Sequence, residues 1–164
     1  MPDYPLLLRA SDIAAMEPEH KTHFLNPRAV RTQRSLGDAT GLGHIGVHLV
    51  EIEPGFEATE YHMHHEEEEC VFVLSGKGTA VINDVEYDVG PGDFIGLPRA
   101  TAAHNIMNTG EETLILLVMG ERLAFDVADN PHQGKRLYRH RGEWRMVALD
   151  QTTPIRGGLP PRRD

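Results

Sequence analysis

The sequence predicts an all-β protein, an antiparallel sandwich or jelly-roll barrel. Three observations carry this. About eight short runs are apolar or alternate apolar with polar residues, as strands do. The 16 glycines and 11 prolines fall between those runs, where turns belong. No stretch carries the 3.6-residue apolar period of a long amphipathic helix. A barrel of this kind has an interior that side chains fill or that holds a ligand.

Residues 1–43 read as an irregular N-terminal arm. Ser11 or Asp12 can cap one helical turn running to Met16, and Pro18 and Asn26-Pro27 break the chain after it. Residues 37–43 form a glycine-punctuated loop. The arm is expected to wrap over the domain or to meet a second subunit. The barrel core spans 44–120. Its first strand, 46–53, is β-branched-rich and ends at Pro54-Gly55. Strands at 60–64 and 69–74 follow. Those at 79–82 and 85–89 flank Asn83-Asp84, residue types that suit a tight hairpin. After the sharp turn at 90–93 come a strand at 94–98 and a polar loop to Ala103. The next strand, 104–108, puts His104, Ile106 and Asn108 on one face. Residues 113–119 are nearly all apolar, the mark of a buried strand. The rhythm is lost in the C-terminal extension, 121–164. Within it, 136–140 and 144–147 read as short pieces packed outside the barrel, and 153–164 as a flexible tail.

Length and composition narrow the classes. The 164 residues, 40% hydrophobic and 25% charged, fit one domain with a real core. A formal net charge of −9 repels phosphate backbones and argues against nucleic acid as a partner. The lone Cys70 excludes an intramolecular disulfide framework and fits a reducing compartment. Leu6-Leu7-Leu8 is too short for a signal-peptide core, and no apolar run reaches membrane-spanning length. A cytoplasmic location without membrane association is expected.

The chemistry concentrates in Tyr61-His62-Met63-His64-His65 and the acidic run 66–69. On a strand, His62 and His64 project from the same face, while His65 points away. Two imidazoles with a carboxylate at the start of the next strand look like ligands of one divalent metal ion, iron, zinc, nickel or manganese. An exposed His-x-His and an acidic loop also occur without a metal. What strengthens the reading is His104, a later histidine in a matching context.

Two motifs in order, separated by a hairpin, resemble those of the cupin family. The first pattern, Gly…His-x-His…Glu…Gly, is matched by Gly55, His62, His64, Glu69 and Gly76. The second, Gly…Pro-x-Gly…His…Asn, is matched by Gly92, Pro98, His104 and Asn108. The chain departs from the family in one extra residue before His62, one before His104, and Ala100 in place of the motif's last Gly. The lead-in at 36–42 is similar to that of a single-domain branch often labelled sugar-phosphate isomerases by similarity, a fold-level analogy.

The resemblance implies a double-stranded β-helix whose interior holds one divalent ion on His62, His64, Glu69 and His104. Glu68 offers a variant spacing for the carboxylate, and only Glu69 sets the motif distance to Gly76. Three neutral imidazoles and one carboxylate leave a charge of about +1 on a divalent ion, which favours an anionic or hydroxyl-bearing small molecule. Glu60 and Glu67 are the candidate catalytic carboxylates, and Asn108 can support the site from behind. Lys77 and Arg99 are the candidate cations at the barrel mouth for a phosphorylated substrate. Cys70 faces away from Glu69 as a small buried residue. Three functions fit: a metal-dependent sugar or sugar-phosphate isomerase or epimerase, a non-haem iron dioxygenase, or a non-catalytic small-molecule binding module. A homodimer is expected, two-fold dimers being the commonest oligomers.

Overall fold

The computed structural model describes residues 3–153, so 154–164, nearly all of the expected tail, lie outside the described residues. The chain opens with a helical turn, α1 (Ala10–Ala15), then β1 (Glu19–His23), β2 (Asn26–Ser35), a second turn α2 (Leu36–Ala39) and β3 (Ile45–Ile52). Next come β4 (Met63–His64), β5 (Glu69–Ser75), β6 (Gly78–Ile82), β7 (Val85–Val89), β8 (Phe94–Leu97), β9 (His104–Met107) and β10 (Leu114–Glu121). A final meander comprises β11 (Phe125–Asn130), β12 (Lys135–His140) and β13 (Glu143–Ala148).

The strands pair antiparallel throughout. One sheet runs β1-β2-β3-β10-β5-β8. The others run β13-β12-β11-β4 and β7-β6-β9. A bridge between His62 and His104 stitches these last two, each backbone N–H donating to the other's carbonyl at 3.1 and 2.8 Å. Val50, Ile52, Val71, Val73, Leu114 and Leu116 of the large sheet meet Ala80 and Ile106 of the small one in a single core. Ile52, Val73, Leu114 and Leu116 are fully buried, each stabilising by about 1.5–3 kcal/mol. Val50, Val71, Ile106 and Leu116 also line a cavity of about 790 Å³, so the core passes directly into the site.

Turn chemistry sets the register. Asn83 and Asp84 have φ of 48° and 63°, the pair of positive angles that a two-residue hairpin needs. Gly76 has φ of 81°, and a Cβ there would lie 2.6 Å from the Thr113 carbonyl oxygen. The motif glycine is therefore required both by conformation and by the close approach of β10.

Three expectations are corrected. The arm over 1–43 is not irregular throughout: besides the helical turn it holds β1 and β2, which extend the large sheet through β3. Alternation does not reveal them because their inward residues, among them Lys21, Arg31 and Gln33, are polar and line the cavity instead of the apolar core. The strand expected at 60–64 shortens to Met63–His64. Here the chain crosses between neighbours, His62 pairing with His104 while Met63 and His64 pair with Asp129 and Ala128. The C-terminal extension keeps its strand rhythm at 125–130, and this added strand carries a residue of the site.

Candidate metal centre

Three strands deliver the donors. The crossing segment places His62 and His64 with their Nε2 atoms 3.0 Å apart. Glu69 begins β5 beside Leu97, and its Oε2 is 3.1 Å from Nε2 of His104, the first residue of β9. Donor atoms of His62, Glu69 and His104 all lie within 4.8 Å of one another. Atoms at such separations can share one ion, since metal–ligand bonds are about 2.0–2.2 Å long.

The far side of each imidazole is accounted for. Nδ1 of His62 donates to the Glu60 carbonyl at 2.8 Å, and Nδ1 of His104 faces the Ala102 carbonyl at 3.3 Å. Nδ1 of His64 meets Oδ2 of Asp126 at 2.6 Å. With Nδ1 occupied in each ring, Nε2 is the nitrogen left to bind a cation, the arrangement that fixes the tautomer of metal-binding histidines. Burial, with His104 and His64 alongside, pulls His62 down to about 3, so the ring stays neutral and keeps its lone pair. Burial pushes Glu69 up, but His104, His62 and His64 outweigh it and hold the carboxyl at about 2, ionised. Burial opposes protonation of His64 as well, yet the Asp126 carboxylate wins and raises it. A neutral His62 and an ionised Glu69, with His104 beside them, therefore suit a divalent ion, while His64 meets this trio through Nε2 of His62.

A second trio, His64, Glu67 and Asp126, also has donor atoms within 4.8 Å. Asp126 is 1% exposed, and its other oxygen accepts the Glu66 N–H at 3.3 Å. Glu67 accepts the Leu123 N–H at 2.6 Å and pairs with Arg139, while its nearer oxygen is 4.0 Å from Nδ1 of His64. Asp126 is committed to His64 and the Glu66 N–H, and one oxygen of Glu67 to Leu123 and Arg139, so within this trio it is Asp126 that braces His64.

Other expected residues fall elsewhere. Glu60 and Glu67 are buried, and neither lines the cavity. Glu68 is exposed, leaving Glu69 as the carboxylate beside the histidines. His65 turns away to Asp129 at 2.8 Å. Asn108 is fully buried, but its side chain ties the Ile52 and Glu112 carbonyls and the Gly110 N–H, holding the turn before β10 and not the site. Lys77 and Arg99 are exposed and off the cavity. Cys70 is half-buried, and burial raises its thiol. Sequence reasoning missed Asp126, Arg31 and His48, the last two of which line the cavity. The alternation of buried Asp126 and Ala128 with Val127 between them was the available signal for β11.

The cupin domain family profile matches residues 48–120. Comparison with curated proteins gives no match. Among solved structures, an Acidithiobacillus ferrooxidans protein named "Putative sugar phosphate isomerase" is 56% identical, with a TM-score of 0.91 over 93% of this chain and 97% of that one. A Silicibacter pomeroyi protein described as a sugar phosphate isomerase from a cupin superfamily is 26% identical, with a TM-score of 0.78 over 88% of this chain and 96% of that one. The Streptomyces resistomycificus polyketide cyclase is 23% identical, with a TM-score of 0.55 over 70% of this chain and 80% of that one, and shares the fold alone. Motifs, sheets and the extent of these matches agree: the chain belongs to the cupin superfamily, in its sugar-phosphate-isomerase-like branch.

Proposed function

We propose that the protein is a metal-dependent isomerase or epimerase of a sugar or sugar phosphate, with His62, His64, Glu69 and His104 holding one divalent ion. The observation that carries the reading is the convergence of imidazole Nε2 atoms and a carboxylate oxygen at the wall of a roomy cavity. The names borne by the two similar structures direct it toward sugar phosphates. A bound ion would polarise a substrate carbonyl or an adjacent hydroxyl. The cavity, at about 790 Å³, is of the size that takes a small metabolite.

The chain must also move a proton. Glu60 and Glu67 were the expected carriers, but a carrier has to reach the substrate. His48 lines the cavity, and its Nδ1 is 3.0 Å from the Ser35 hydroxyl. Burial and then Arg122 lower its pKa below the ordinary imidazole value, so it is neutral and ready to accept a proton at neutral pH. We assign it the proton transfer. The test is interconversion of aldose and ketose phosphates by metal-loaded protein. Turnover should depend on the metal and fall by about 10²–10⁴ in His48→Gln. Absence of turnover with every sugar phosphate offered would overturn the isomerase reading.

A further inference from the structure

Three arginines line the cavity, Arg31, Arg122 and Arg139. Two are neutralised: Arg122 is bonded to both carboxylate oxygens of Asp38, and Arg139 is paired with Glu67. Lys21, the cavity's lysine, pairs with Glu19 at 2.8 Å. Arg31 differs. Its Nε donates to Oε1 of Gln33 at 3.1 Å and its Nη1 to the Ala58 carbonyl, and both acceptors are uncharged. Among the described residues Arg31 meets no carboxylate within ion-pair distance, and Nη2 has no protein acceptor. Gln33, 3% exposed, holds the guanidinium in place without cancelling its charge.

A half-buried cation without a counter-charge is costly. The cost is reasonable where an anion arrives as the ligand. The charges of the site agree: a divalent ion with one carboxylate leaves about +1, and Arg31 adds another. Arg31 is close enough for Glu69 to act on it electrostatically, Glu69 opposing the effect of burial, so the cation and the donor cluster belong to one cavity. Guanidinium also suits phosphate better than a lysine point charge, because its N–H groups lie in a plane that matches phosphate oxygens.

We propose that Arg31 binds the phosphate group of the substrate, at the β1–β2 wall of the cavity and facing the His-Glu cluster. This rests on the sugar-phosphate reading above and replaces Lys77 and Arg99 as the cations of the site. Gln33 serves as a positioning residue.

The test is calorimetric binding to metal-loaded protein of inorganic phosphate, a pentose phosphate, the same pentose without phosphate, and acetate. Arg31→Gln should weaken phosphate and pentose phosphate about 10- to 100-fold, as loss of charged hydrogen bonds does. Affinity for the unphosphorylated pentose and the metal content should stay unchanged, as should phosphate binding in Lys77→Gln. Should Arg31→Gln not fold, Arg31→Lys carries the test, with phosphate weakened because the planar fork is lost. Equal phosphate affinity in wild type and the Arg31 variant, or no phosphate binding by wild type, would overturn the proposal. Acetate matching phosphate in wild type would overturn the phosphate assignment. Because no turnover is read, a protein that binds phosphate through Arg31 yet isomerises nothing refutes only the isomerase reading.

Discussion

Asp126 sets the aim of His64 without reaching the cavity. Its carboxylate fixes the ring's Nδ1 proton, so Nε2 faces His62. Loss of such a partner typically costs 10–100-fold in metal affinity. Asp126→Asn should show that loss in chelator competition, with the circular dichroism spectrum unchanged; undiminished affinity would remove Asp126 from the site. Ala100 presents a different residue-scale effect. It stands in the left-handed region at φ of 54°, with its N–H donating to the His64 carbonyl at 2.8 Å. Glycine relieves a strain of about 1–2 kcal/mol there, offset by an entropic cost of about 0.5–1 kcal/mol. Ala100→Gly should therefore raise stability by up to about 1 kcal/mol in urea unfolding, and a clear loss would contradict the strain argument.

Element by element, the core strands were legible because one face of each is apolar: β5, β6 and β10 carry Val71, Val73, Ala80, Leu114 and Leu116 inward. Sequence also marked the neighbourhood of His62, His64, Glu69 and His104, through the two-residue spacing of the first two and the distance from Glu69 to Gly76. The structure places Nε2 of His62 near that of His64 and Glu69 near His104. Hidden from sequence were the elements whose inward face is polar. β1 and β2 turn Lys21, Arg31 and Gln33 toward the cavity, and β11 buries Asp126 against His64. The chain that looks least like a strand is the part that completes the site. Within the final meander, Arg136 of β12 grips both oxygens of Asp129 of β11 at 2.6 and 2.7 Å. Arg136 is the main cause that holds the Asp129 carboxyl below its ordinary value of 3.8, against the effect of burial. A group depressed in the folded state stabilises above its unfolded pKa, and that stability is lost as pH falls through the native value. The loss should thus appear below about pH 4, and Asp129→Asn should flatten that part of the stability–pH curve. An unchanged acid limb would show that the pair is energetically silent. At the β5–β6 turn, Gly76→Ala should destabilise by about 1–3 kcal/mol through its left-handed backbone, with the Thr113 carbonyl adding to the cost.

At the scale of the whole molecule, the apolar core between the large and the small sheet lies beside the cavity and does not depend on it, so the fold should survive loss of the ion. Leu6, Leu7 and Phe24 of the N-terminal segment are exposed, and the homodimer expected of that segment is a prediction to be tested in solution. Light scattering should give twice the chain mass, and a monomer at all concentrations would contradict it. No helix among the described residues is long and apolar enough to cross a membrane. Saturation with the ion at about 100 times its Kd should add about 2.7 kcal/mol, which is a rise of about 5–10 °C in Tm for a chain of this size. The central claim is that these four side chains hold one ion, and metal stoichiometry tests it most directly. Protein purified without chelators or metal-affinity resin should carry about one divalent ion per chain by mass spectrometry. His104→Ala should carry almost none while keeping its β-sheet circular dichroism. A wild-type protein that takes up no ion when offered excess, or a His104→Ala variant that retains it in full, would contradict the account.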